Sequence, residues 1–463
     1  MMKPRFLMLY VMTVVAIVFF PIYGLFAGVS TQKAVSVEIV LDDTPLAVDC
    51  PVSVPFDYGG SAVAWLLVPE KKNGDNGEAV SLPAQKSGDR LWWIKPAGSS
   101  GTRKYLATPA VASESAMNCL HDIKNNAYTV TDNDKPVLRY NFGEVPKPEE
   151  VKLFKFEDGR PYGGTRGDYI HPIYGPHGEI LTDDFPEDHP HHRGLWWSWP
   201  VTRWNSRVED IWAICDVRSY PVKSRVEFSP SPVDLSYSYP VTPRVEIGPV
   251  MVVIEAESVW RFAPRTPQTG NPLPEDSDQP FVRENAVIRV FAARDANRFV
   301  DTEITLTALQ DGVAIGGRPG AGYGGITLRT AKANQLNVSC LPNAEGNITE
   351  PVTSGGEPVG YSWIDATGDF ISPDASPNGE TRLGMTLFQK SVTSEQPLNR
   401  HLYPPIFCFM NAFPGDCEFE LAREKPLLLT SRLWIHPGET TPEVIRQLGQ
   451  MQMSEGQSEI SGK

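Results

Sequence analysis

Apolar residues in this chain come in short runs broken by turn-forming clusters, and almost nowhere at helical spacing. From Ala34 to about Ile123 the runs Val35–Leu41, Ala62–Val68 and Leu91–Ile94 are separated by clusters such as Lys72-Asn73-Gly74-Asp75-Asn76-Gly77. Runs bounded in this way read as β-strands joined by tight turns. A second unit begins near Tyr128-Thr129-Val130, and its clearest strands are Met251–Phe262 and Phe299–Ala308. In the latter, Val300, Ile304 and Leu306 fall on one face and Asp301, Glu303, Thr305 and Thr307 on the other. A period of two marks a half-buried strand whose polar face is wet or looks onto a site. One helix is predicted near the end: Thr440 and Glu443 have capping-box spacing, Pro442 suits a first turn, and Val444, Ile445 and Leu448 form one stripe. No repeat of fixed period occurs, which argues against a propeller or solenoid.

The pattern predicts an all-β protein, a large antiparallel β-sandwich with a smaller N-terminal β-sandwich domain. Residues 34–125 make the small domain, 126–440 the main one, and 441–463 the C-terminal helix and tail. Ahead of them, residues 1–30 read as an export segment: Lys3 and Arg5 precede an uncharged stretch from Phe6 to Gln32, and Gly28-Val29-Ser30 is a small-x-small cleavage candidate. The segment is either removed or kept as a single-helix membrane anchor. Both outcomes place the rest outside the cytoplasm, periplasmic or secreted. Export permits disulfides among the six cysteines, with Cys50–Cys119 and Cys408–Cys417 as candidate pairs beside the alternative of buried free thiols. No cysteine pair has CxxC spacing, so a zinc ribbon is unsupported. A net charge of -14 without any Lys/Arg cluster removes nucleic acid as a partner.

Five of the eight histidines lie between His171 and His192, the densest chemistry in the chain. Were Asp188–Leu195 extended, His189 and His191 would project from one face and Asp188 and His192 from the other. Pro190 would then call for an edge strand or a bulge. Imidazole gives and takes protons near neutral pH, which suits acid–base chemistry. The pair His189 and His191, joined by a carboxylate, equally suits zinc, copper or iron, and the cofactor stays undetermined on spacing alone. A third reading is a hydrogen-bonded network that ties a strand end together beneath Trp197 and Trp199. Trp196, on the opposite face, is a candidate stacking platform for a sugar ring. The run from Gly316 to Gly325 contains a GxGxxG match but leads into a strand, Ile326–Arg329, instead of opening a helix. It predicts a mobile loop bordering a pocket, not a dinucleotide site. Serine-hydrolase, P-loop and HExxH signatures are absent from the sequence.

The string Asp184-Phe185-Pro186-Glu187-Asp188-His189-Pro190-His191-His192-Arg193-Gly194-Leu195-Trp196 closely resembles the signature of a bacterial exported family commonly labelled "methane oxygenase PmoA". Tyr169-Ile170-His171-Pro172 and Arg432-Leu433-Trp434-Ile435-His436-Pro437-Gly438 extend the resemblance, which runs from about Tyr128 to Glu439. Gln389-Lys390 departs from it, standing where the family more often shows Asp-His-Pro. A membrane methane monooxygenase subunit needs several spanning helices and this chain offers one at most, so methane oxidation is set aside. The resemblance implies a sandwich of the galactose-mutarotase type, with His189 or His191 as acid, His192 beside them and Glu303 as base. Arg193 would hold a substrate hydroxyl or carboxylate, with His171, Asp188, Trp196 and His436 completing substrate binding. The leading expectation is an extracytoplasmic enzyme acting on a sugar or glycoside by histidine acid–base chemistry. Its rivals are a non-catalytic carbohydrate- or partner-binding sandwich and a mononuclear metal oxidoreductase or hydrolase.

Overall fold

The computed structural model describes residues 35–40, 45–58, 60–70, 80–99, 102–110, 115–152, 154–155, 165–213, 217–221, 243–262, 279–340, 353–354, 357–358, 361–372, 379–390, 392 and 399–453. The export segment, and the anchor alternative with it, lies outside these residues. Among the described residues no helix is long and apolar enough to cross a membrane.

Two antiparallel sheets form the sandwich. The first has eight strands in the order Asn399–Tyr403, Cys408–Ala412, Gly325–Arg329, Leu195–Ser198, Tyr169–Ile173, Lys135–Asn141, Ala127–Asp132 and Met117–Asp122. The second has nine, built around Met251–Phe262, Val282–Phe291, Arg298–Ala308, Leu427–Pro437, Glu380–Lys390 and Tyr361–Ile371 in that order. Alternation decides what lies between them. Val130, Leu138, Ile170, Leu195, Trp197 and Leu328 from the first sheet pack with Ile254, Ile288, Ile304, Leu387 and Leu433 from the second in one continuous core. Each fully buried aliphatic or aromatic side chain there contributes roughly 1.5–3 kcal/mol through removal from water.

The small N-terminal sheet has six strands, from Val35–Val40 to Thr102–Pro109, and keeps its own core around Phe56, Trp65, Leu67 and Trp93. It is fastened to the outer face of the nine-stranded sheet. Trp92 and Cys50 share a second apolar cluster with Met251, Phe291, Phe299 and Trp434. Arg432 clamps Asp301 at 2.6 and 2.7 Å and donates to the Pro51 carbonyl at 3.1 Å. The buried Gln85 side chain accepts from the backbone of Met251 at 3.0 Å. Residues from Ala34 onward accordingly form one compact unit, and the eight-stranded sheet begins at Met117, ahead of the expected start at residue 126.

The C-terminal helix, Pro442–Met453, buries Ile445 and Leu448 against the same cluster. Its cap differs from the expected box. Thr441 Oγ1, not Thr440, accepts from the Val444 amide, and Glu443 turns outward to Arg446 at 2.6 Å. The cysteine pairings fail as well. Cys50, Cys119, Cys340, Cys408 and Cys417 are all free thiols. Cys50 sits against Arg432 in the inter-sheet packing, and Cys408 lies on a strand of the other sheet.

Candidate functional site

On the outer face of the eight-stranded sheet lies a cavity of about 410 Å³. Met410 and Cys408 lie at its base, because alternation along Cys408–Ala412 turns Phe409 into the sandwich and its neighbours outward. One wall is His189, His191 and His192. The remaining lining comes from Asp210 and Trp212, from Arg318 and Tyr323, and from the segment Tyr403 to Ile406.

The histidine segment is not the extended strand that its sequence suggested. The strand starts only at Leu195, and Pro190 and His191 are the central residues of a turn closed by the His192 amide donating to the His189 carbonyl at 2.8 Å. Proline presets the backbone for the second position of such a turn, which explains why it interrupts the histidines. A turn, unlike a strand, gathers all three rings on one side. His189 stacks on His192 with centroids 4.8 Å apart, and His191 meets His192 edge-on at 4.5 Å. His192 in turn rests against Trp196 at 5.3 Å.

Glycine at 194 makes this packing feasible. A Cβ there would lie 2.2 Å from the Ile170 carbonyl oxygen and 2.9 Å from the His171 Cβ, so only glycine lets the turn come down onto the neighbouring strand. Behind the histidines two arginines brace the turn. Arg193, fully buried, donates to the carbonyls of Pro190 at 2.7 Å and His192 at 2.9 Å, stacks on Phe185 and faces Asp184 at 3.3 Å. Arg329 pairs with Asp188 at 2.7 Å and approaches His192 Nδ1 at 3.4 Å.

These surroundings set the protonation of the site. Burial, then the His189 ring, then Arg193 hold His191 well below the ordinary imidazole value. His192 is depressed in the same sense by burial, by His191 and by Arg329. Both are neutral at physiological pH, able to accept a proton and poorly suited to start as acids. Asp188, pushed up by burial, is pulled below its usual value by the stronger effect of Arg329, so it remains a carboxylate beside His189.

Several expected site residues lie elsewhere or act otherwise. Glu303 is on the outer face of the nine-stranded sheet, paired with Arg289 at 2.7 Å near Trp92. The polar face of its strand meets the small domain, so it is no base for these histidines. His436 is bound to Asp365 at 2.9 Å, also in the nine-stranded sheet. Trp196 is wholly buried and donates to Ser198, which leaves no open ring face for a sugar. Arg193 braces the turn from behind and does not line the cavity. His171 sits one strand over, bonded to Thr182 and held at about 4, mainly by burial. Gln389, at the position of the family departure, is fully buried in the nine-stranded sheet. The pair His189 and His191 gains no third ligand: among the described residues no group of three or more His, Cys, Asp or Glu is arranged to hold a metal ion.

Trp212, Tyr323, Arg318, Asp210 and Tyr403 are the cavity residues that sequence reasoning missed. Arg318 and Tyr323 belong to the glycine-rich run, whose placement beside a pocket was the available signal. That loop is a defined turn: Arg318 donates to the Tyr323 carbonyl at 2.9 Å and its own carbonyl accepts from Gly322.

Fold and site together define a β-sandwich carrying a cavity walled by imidazoles and aromatic rings. The chain belongs to a family of unknown function, DUF6807, whose model matches residues 127–450. None of the curated proteins compared with it matches.

Proposed function

We propose that this protein is a carbohydrate-active enzyme, working outside the cytoplasm, in which a neutral histidine of the turn acts as a base on a bound sugar. The observation that carries the reading is the junction of three touching imidazoles with Trp212 and Tyr323 on one cavity. Its volume of about 410 Å³ falls within the ~300–1,000 Å³ typical of small-molecule sites. A sugar presents hydroxyls at its edge and C–H bonds on its faces. The first need hydrogen-bonding groups such as imidazole, and the second pack well on aromatic rings. His191 or His192, kept unprotonated, would draw a proton from a hydroxyl or an activated C–H and pass it on at once, since burial and the neighbouring guanidinium groups disfavour a lasting imidazolium, with His189 beside them. The acid role assigned by resemblance is less suited to these rings than the base role. The export segment and the resemblance to an exported family support the location.

The test is a panel of mono- and disaccharides and their aryl glycosides, followed by proton NMR for binding and conversion. At least one member should be converted, and His191→Ala should slow that conversion about 100-fold or more while the melting temperature stays within a few degrees. Absence of binding across the panel, or full turnover by the variant, would overturn the proposal.

A further inference from the structure

We infer that the cavity is built for an acidic sugar, one bearing a carboxylate that Arg318 receives. This rests on the sugar reading above and adds the substrate class. Among the residues that line the cavity, the permanent charges are Arg318 and Asp210. They form an ion pair, with Arg318 Nη1 3.9 Å from Asp210 Oδ2, but at that distance no hydrogen bond joins them and the guanidinium keeps its donors for a ligand. Asp210 is occupied in part by the Ala213 amide, which donates to its Oδ1 at 2.7 Å.

The Arg318 backbone is positioned with care. Its amide donates to Tyr323, its carbonyl accepts from Ala321 at 3.0 Å and from Gly322, and the loop is pinned by the Gly320 amide donating to Asp416 at 2.8 Å. Gly320 and Gly322 both adopt left-handed backbone, at φ +73° and +72°, which a side chain would resist. A guanidinium mounted on a stiff turn and partly exposed is arranged for a planar, two-oxygen acceptor. Bonds between ionised partners are about twice as strong as neutral ones, and the fork matches a carboxylate better than a hydroxyl.

The opposite wall adds no net charge of its own. Behind the histidines Arg329 is paired with Asp188 at 2.7 Å and Arg193 faces Asp184 at 3.3 Å. Discrimination between an acidic and a neutral sugar therefore rests on Arg318.

Calorimetric titration with glucose, galactose, glucuronate and galacturonate tests the inference. At least one uronate should bind tenfold or more tightly than its neutral parent. Arg318→Gln should bring that uronate to within about threefold of the parent, and Arg318→Lys, which keeps the charge but loses the fork, should fall between. Equal binding of uronates and parents by the wild-type protein would overturn the acidic-sugar inference while leaving the sugar site standing, as would a preference that survives Arg318→Gln. If none of the four binds, and the wider sugar panel is silent too, both readings fall together.

Discussion

Histidines occupy two buried settings in this molecule, and they serve opposite ends. His191 and His192 sit on a turn at the rim of the sandwich, 5% and 4% exposed, while His436 sits mid-sheet at 1%. Burial alone does not separate them. Their partners do. His436 is bound through Nε2 to Asp365, and through Nδ1 it meets the Gly438 carbonyl at 3.1 Å. Asp365 also accepts from Thr367 and Thr386 at 2.9 and 2.6 Å, and the His436 ring fills the space over Gly384, where a Cβ would come within 2.0 Å of it. Both ring nitrogens are committed. The rings at the turn instead lean on one another and on tryptophan, with a cavity alongside. A histidine tied to a carboxylate and a carbonyl holds strands together, whereas one packed among other imidazoles, an indole and a guanidinium at a cavity wall can be reached by a ligand.

The contrast can be broken most sharply by removing one ring from each setting. His192→Ala should lower turnover of the substrate found in the sugar panel by about 100-fold or more, with stability falling by a smaller step. Asp365→Ala should do the reverse: stability drops by about 3 kcal/mol, since His436, Thr367 and Thr386 lose their shared acceptor, and the sugar Kd measured on the folded fraction is unchanged. Urea denaturation and titration calorimetry on both variants check the pair. If Asp365→Ala abolished turnover while remaining folded, the two settings would be coupled.

A finer distinction comes from pH. Glu284, buried between the indoles of Trp197 and Trp260, is pushed up to about 8, first by burial and next by Asp168. Its folded value exceeds its ordinary 4.5, so the stability it contributes is fully present below about 4.5 and is lost as pH rises through about 8. The turn histidines are displaced downward, so they penalise the folded state as pH falls below 6.5. Melting temperature should therefore sag at both ends of the range. Glu284→Gln should flatten the alkaline side and His192→Gln the acidic side, each without altering the other.

How far the sequence anticipated this depends on the range of the interaction. Met251–Phe262 was delimited to the residue and Arg298–Ala308 to within one, because alternation of side chains is a local property. The histidine segment stood out for the same reason, by density. Its backbone did not, since Pro190 fits a bulged edge as well as a turn, and only the contact with Ile170 through Gly194 decides between them. Glu303 shows the limit plainly. Period two told which residues share its face, but not that the face meets the small domain instead of a cavity. Trp212 and Tyr403 carry no local mark, Arg318 and Tyr323 only that of their glycine-rich run, and all four reach His192 through the pairing of strands distant in the chain.

That dispersal has a consequence for biosynthesis. The histidine turn is complete by residue 194, yet the base of the cavity is not made until residue 410, and the strand at Leu427–Pro437 that sits mid-sheet in the nine-stranded layer comes later still. A chain emerging from the ribosome thus carries its imidazoles for half its length with nowhere to put a ligand. Any compound that fits the finished site will recognise only the fully assembled protein, and will protect it from unfolding by an amount that grows with the logarithm of its concentration above Kd.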